Sequence, residues 1–342
     1  EVISILKDCP QVISFKKETL NDKIKCIVNL GFKLDEVKNM ILKFSRILTY
    51  GNDRLMRVIK DFKALGFNKN SIHTILCRSP KMFGYSTERI ENRMIELLNM
   101  GYEENEVRKM YVSEPTVIEY DEKVLSEKIH NITTLGFTSE EVMKMGISAP
   151  SIFTYKLSNL NSKIINLVNN GYSLVQARKL FLSNPLIFNR NEELITSKIN
   201  ELLKMGYTID EVIKLTIGCN SILSYDIVKI IRIYNNLKTL GYTDEEVIKM
   251  TVKLPSLYGY KFDSTKAKIE YLKSIQLGFL ILEDTKRLMM SLDLMYARYE
   301  FFKREQNKIL NRDNYTVMFQ GNKQFETTHG LSKEKLLKKY PR

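Results

Sequence analysis

Apolar residues recur along the chain with a period of 35, and glycine marks each step. Gly31, Gly66, Gly101, Gly136, Gly171, Gly206 and Gly241 are each 35 residues apart, and Gly278 follows after 37. Counting each glycine as repeat position 1, position 2 is always Phe or Tyr. Position 7 is Val37, Ile72, Val107, Val142, Ala177, Val212 and Val247, and position 10 is Met, Leu or Ile75. With position 14 in several repeats, these make one apolar stripe at helical spacing. A second stripe occupies positions 25, 29, 32 and 35, as in Leu125, Ile129, Ile132 and Leu135. No period-two alternation is sustained through the repeats, so strands are not expected.

The residues between the stripes act as punctuation. Glycine suits the left-handed residue that follows a helix. Thr138, Thr208 and Thr243 each precede a glutamate by three residues (Glu141, Glu211, Glu246), the spacing of a capping box. A first helix therefore starts near position 4. Position 15 is Pro80, Pro115, Pro150, Pro185 and Pro255, with Pro10 in the same slot and Ser45 and Asn220 replacing it. Proline lacks an N–H and crowds the preceding turn, so the first helix ends there. The apolar pair that follows, such as Ile152-Phe153, reads as a short 3₁₀ turn. A second helix then covers roughly positions 22 to 35. One such pair cannot bury both its stripes alone, whereas stacked pairs can. The expected fold is all-α: a curved α-solenoid of about eight 35-residue helix–3₁₀ turn–helix repeats, with a concave face and a basic C-terminal cap. Glu1-Val2 stands 35 residues before Glu36-Val37, so the register opens partway through a repeat. Residues 1–290 are assigned to the array and 291–342 to closing helices and a cap continuous with it.

Composition narrows the function classes. Hydrophobic residues make up 44% of the 342, enough for a continuous core, and no apolar run approaches the roughly 18 residues of a membrane span. Cys9, Cys26, Cys77 and Cys219 form no CxxC, and His73, His130 and His329 make no metal-ligand spacing. No metal, cofactor or small-molecule substrate is expected. There is no GxxxxGK[ST], HExxH or GxSxG, so the chain is not read as an enzyme. The net charge of +13 points instead to a polyanion, nucleic acid before an anionic membrane. Residues 297–342 carry 11 Lys/Arg against 5 Asp/Glu, close to half of that surplus.

The combination LG[FY]…EV…M, then P…[IL][FL].Y, then L..KI..L resembles the mitochondrial transcription termination factor (mTERF) family. The segment "SLDLMYARYEFFK" (Ser291 to Lys303) resembles that family's closing segment, and "LSKEKLLKKYP" (Leu331 to Pro341) its last short helix. The resemblance covers essentially the whole chain. It implies a nucleic-acid-binding solenoid, some members gripping duplex DNA along a basic concave face and others acting on RNA. It also implies work in transcription, termination, ribosome assembly or RNA processing. The compartment would be an organelle in a eukaryote, or the cytoplasm or nucleoid in a bacterium.

Two basic columns are candidates for the contact. Position 28 is Lys23, Arg93, Lys128, Lys163, Lys198 and Lys268, and the repeats with Val58 and Ile233 place Arg57 and Arg232 one residue earlier. At about 100° per residue, position 28 falls inside the apolar arc of the second helix. An unpaired buried ammonium is too costly to be repeated, so each head must reach a carboxylate, a carbonyl or open water. The functional reading is a row of cations meeting phosphates in the groove; the structural one is a snorkelling lysine whose stem covers the next repeat. Position 9 is Lys109, Lys144, Lys179, Lys214 and Lys249, a secondary column equally readable as a solvated helix face. Arg298, in the closing segment, is the leading candidate outside the repeats. Position 20 is Tyr50, Tyr85, Tyr120, Tyr155, Tyr225 and Tyr260, read as packing before base stacking. Position 16 varies from Arg46 and Lys81 to Leu186 and leaves room only for a weak sequence preference.

The expectation is a monomer that grips double-stranded DNA in transcription or gene-expression regulation. Two alternatives stand beside it: an RNA-binding solenoid in rRNA or RNA processing, and a protein-interaction scaffold.

Overall fold

The computed structural model describes every residue except Asn220, so the proline-free slot there lies outside the described residues. All regular structure among the described residues is helical. First helices are Leu34–Lys43, Lys69–Arg78, Glu104–Ser113, Ser139–Ser148, Leu174–Ser183, Ile209–Gly218 and Asp244–Lys253. Second helices are Lys17–Asn29, Asn52–Ala64, Thr87–Asn99, Glu122–Thr133, Leu157–Asn169, Glu192–Lys204, Ile227–Lys238 and Phe262–Ser274. Each first helix is followed by a short 3₁₀ turn, as in Pro80–Gly84, Pro115–Glu119 and Pro255–Gly259.

The chain divides into two compact units. The first comprises Glu1–Ile165 with Asn184–Asn189, and the second Asn166–Ser183 with Arg190–Arg342. Within each, first helices stack on first helices and second helices on second helices. The closing helices Leu292–Arg304, Asn322–His329 and Lys333–Lys339 belong to the second unit.

Local chemistry accounts for these elements. The Thr138, Thr208 and Thr243 capping boxes all form, and Ser173 with Gln176 makes an equivalent exchange of hydrogen bonds. Positions 7 and 10 are buried throughout, and so is position 11 (Ile41, Leu76, Tyr111, Gly146, Phe181, Thr216, Thr251), which widens the stripe. Position 14 instead closes the first helix, with extended-side dihedrals such as φ −130° and ψ 84° at Ser79. On second helices from Thr87–Asn99 onward, positions 25, 29 and 32 are buried, as in Ile195, Ile199 and Leu202. Position 35 lies at or just past the helix end and is half-buried.

The seven in-register glycines have φ between 83° and 103°. Gly278 does not join them. The residue 35 after Gly241 is Gln276, which takes φ 61°, and Leu277 N–H donates to the Leu272 carbonyl at 2.8 Å. Phe67 to Phe62 and Tyr102 to Leu97 are the same bond in earlier repeats. The period therefore holds through Gln276 and breaks only afterwards. The last repeat has a shortened first helix, Leu280–Glu283, and its turn comes early, at Thr285–Met289.

Candidate nucleic-acid interface

Three of the six position-28 cations find carbonyls. Lys23 Nζ donates to the Tyr50 carbonyl. Lys198 Nζ donates to the carbonyls of Leu223, at 2.7 Å, and Tyr225. Lys268 Nζ donates to the Leu288 carbonyl at 2.8 Å. Every acceptor lies at the C-terminal end of the 3₁₀ turn one repeat further on. Carbonyls at a helix end lack internal partners, so a cation there makes a charge-assisted bond and complements the local dipole. Burial lowers the pKa of both Lys198 and Lys268.

Arg298 is a hidden member of this column. It is the seventh residue of Leu292–Arg304, as Lys268 is of Phe262–Ser274. It donates to the carbonyls of Met318 at 2.9 Å and Gln320 at 2.6 Å, and to Asn322 Oδ1 at 3.0 Å. Its guanidinium lies 4.3 Å from the Phe325 ring centroid. Burial lowers its pKa to about 10, so it remains charged at neutral pH. With 1% exposure, Arg298 is a buried tie of the C-terminal cap. The shortened last repeat moved it five residues out of register and hid the correspondence.

The other members differ. Arg93 pairs with Glu96, whose Oε2 also accepts from Glu122 N–H at 3.1 Å. Lys128 Nζ lies 4.6 Å from the Tyr120 ring centroid, and Lys163 is half-buried. In the repeat with Val58, Arg54 reaches the carbonyls of Phe83, at 3.1 Å, and Gly84. Arg57 and Arg232 are exposed. Cations also lie 4.4 Å from the Tyr50 ring (Arg54), 4.5 Å from Tyr85 (Arg89), 3.9 Å from Tyr225 (Lys229) and 5.5 Å from Tyr260 (Lys268). Those contacts occupy ring faces that base stacking would need. Position 16 is also engaged within the protein: Lys81 pairs with Glu119 at 2.6 Å, and Ser151 donates to Asn189 at 3.0 Å.

Sequence reasoning missed a further set of cations. At position 13, Lys43 donates to the Cys77 carbonyl at 3.1 Å, Arg78 to that of Ser113, and Lys253 to those of Leu282 at 2.7 Å and Glu283 at 2.9 Å. The legible signal was a basic residue in the last turn of a helix.

The secondary column behaves differently. Lys109, Lys144, Lys179, Lys214 and Lys249 are all exposed. Lys144 pairs with Glu140 at 2.7 Å; among the described residues the other four make no ion pair. In the first unit, Lys109 borders an open cleft of about 740 Å³ with Asn68, Ser71, Arg78, Asn105 and Arg108. No helix among the described residues is long and apolar enough to cross a membrane.

Stacked helix–3₁₀ turn–helix units, closed by glycine and opened by capping boxes, define a helical-repeat protein. The mTERF family model matches residues 1–58, 51–176 and 171–278, and the chain belongs to the mTERF family. Its members are typically non-enzymatic nucleic-acid-binding repeat proteins of gene expression. No curated protein matches the chain.

Proposed function

We propose that the chain binds double-stranded nucleic acid, duplex DNA first, through the exposed cations of its first helices, and so regulates transcription. The observation that carries this reading is the division of labour between the two basic columns. At position 28, Lys23, Arg93, Lys128, Lys198 and Lys268 are engaged with turn carbonyls, an acid or a ring, whereas Lys109, Lys179, Lys214 and Lys249 keep exposed heads with no ion pair among the described residues. Equal repeat positions on stacked helices share a face, so in the second unit Lys179, Lys214 and Lys249 form one row. Arg57 and Arg232 add exposed charge on the second helices. Lysine and arginine neutralise phosphates whatever the sequence, so affinity precedes specificity.

The test is competition at matched salt between a short DNA duplex, single-stranded RNA and a folded RNA. The duplex is expected to bind tightest. Tighter binding of either RNA moves the assignment to RNA processing. Lys179→Glu, Lys214→Glu and Lys249→Glu together are expected to cut duplex affinity at least tenfold while the helical signal is kept. Unchanged nucleic-acid affinity would instead favour a protein-interaction scaffold.

A further inference from the structure

Six of the seven repeats that open at Gly31 to Gly241 place an aliphatic side chain at position 12: Leu42, Val112, Ile147, Leu182, Ile217 and Val252. The exception is Cys77. Four residues earlier, at position 8, stands His73, where other repeats have Lys38, Arg108, Met143, Arg178, Ile213 and Ile248. Residues four apart share a helix face, so both departures fall on one side of Lys69–Arg78. Stacking brings Glu36 of the preceding first helix to that side. His73 Nε2 lies 3.1 Å from Glu36 Oε2, and Cys77 Sγ lies 3.9 Å from His73 Nδ1 and 4.0 Å from Nε2. One ligand atom from each of the three residues lies within 4.8 Å of the others. Phe32 stacks on the imidazole at 4.9 Å and 15° and holds the ring. Glu36 Oε2 also accepts from Lys33 N–H at 2.8 Å, which orients the carboxylate.

We propose that Glu36, His73 and Cys77 bind a divalent transition ion of the zinc class and tie together the first helices of two successive repeats. Thiolate, imidazole and carboxylate are the donors such an ion prefers, at about 2.3, 2.0 and 2.0 Å. Tetrahedral bonds of those lengths set ligand atoms roughly 3.3 to 3.6 Å apart. The Nε2···Oε2 and Nε2···Sγ separations, 3.1 and 4.0 Å, bracket that range and all three ligand atoms lie within 4.8 Å of one another, so side-chain shifts of about an ångström complete the site. Three protein ligands leave the fourth position to water. The side chains of His73 and Glu36 are 38% and 30% exposed, which gives the ion a route in. Binding breaks the His73–Glu36 hydrogen bond, and the thiol releases its proton to solvent as sulfur becomes a ligand. Lys43, bonded to the Cys77 carbonyl at 3.1 Å, faces this helix end and works against very tight binding. The site is independent of nucleic-acid binding, and its failure would leave that reading untouched.

The full, reduced chain should be titrated with Co²⁺ and then Zn²⁺. The expected result is one equivalent of Co²⁺ with a thiolate-to-cobalt charge-transfer band that Zn²⁺ abolishes. Cys77→Val, which installs the residue other repeats use, should lose the band. His73→Arg, matching the next repeat, should weaken Zn²⁺ binding at least about tenfold. A chain with Cys9, Cys26 and Cys219 changed to Ser should keep the band. Zn²⁺ should raise the thermal midpoint of the parent but not of Cys77→Val. No band in the parent, or an unchanged band in Cys77→Val, overturns the proposal. So does parental affinity in His73→Arg. If Cys77→Val fails to fold, the Cys77-only chain decides, band present supporting the site and band absent overturning it.

Discussion

Lys268 is 9% exposed, and its ammonium still has a partner, because the helix on which it sits ends its reach at an unpaired carbonyl. Removing such a donor while leaving the acceptor buried costs about 1–3 kcal/mol. Lys268→Met keeps most of the stem and should destabilise the second unit by about that much in chemical denaturation. Amide exchange should quicken over Thr285–Met289, the turn it caps. Lys249→Met removes an exposed charge and should change stability by no more than about 0.5 kcal/mol. Equal effects from the two would refute the capping role. Gly146 poses the opposite problem. A Cβ there would lie 2.5 Å from ring atoms of Phe153, which is fully buried and cannot retreat. Overpacking of this kind costs about 1–3 kcal/mol, against the roughly 1 kcal/mol that alanine gains over glycine in a helix. Gly146→Ala should therefore lower the denaturation midpoint, and a raised midpoint would show that the turn yields.

At the scale of elements, carboxylates decide how the repeats are joined in acid. Glu305, just after Leu292–Arg304, accepts hydrogen bonds from Lys339 and Tyr340 of the C-terminal helix, and these hold its pKa below the ordinary glutamate value. Asp244 is lowered in the same way, first by Lys238 and then by Tyr234. A depressed folded pKa means that the unfolded chain binds the proton more tightly. The contribution is present above the unfolded value of about 4.3 for glutamate and is lost as pH falls through the folded value. The helix Lys333–Lys339 should loosen in that acid window, read as earlier amide exchange than in the rest of the second unit. Glu305→Gln should remove the pH step and leave the helix equally loose at neutral pH. A step that persists in Glu305→Gln would assign it to other groups.

Across the molecule, the elements were legible because each is written in local chemistry: glycine at a left-handed step, a Thr–Glu box, a proline stop. What the period could not convey was where a side chain on the packed face ends. Position 28 lies in the apolar arc by angle, but only stacking shows that its head meets the next turn. Arg298 escaped the column because five residues are missing from the last first helix, and Gln276 escaped because no glycine marks its left-handed step. His73 and Cys77 meet Glu36 only across two repeats, 37 residues apart in the case of His73, beyond any local motif. Net charge was legible as a total, but not which cations remain at the surface. That division yields the last prediction. Each phosphate neutralised on B-DNA contributes about −0.9 to the slope of log affinity against log salt. Replacing Lys179, Lys214 and Lys249 by Met together should make the slope shallower by about 0.9 for each contact actually made. Replacing Lys23, Lys198 and Lys268 by Met should lower stability and leave the slope of the folded protein unchanged. The opposite outcome, a shallower slope from the second set and none from the first, would return the interface to position 28 and require these lysines to leave their carbonyls when nucleic acid binds.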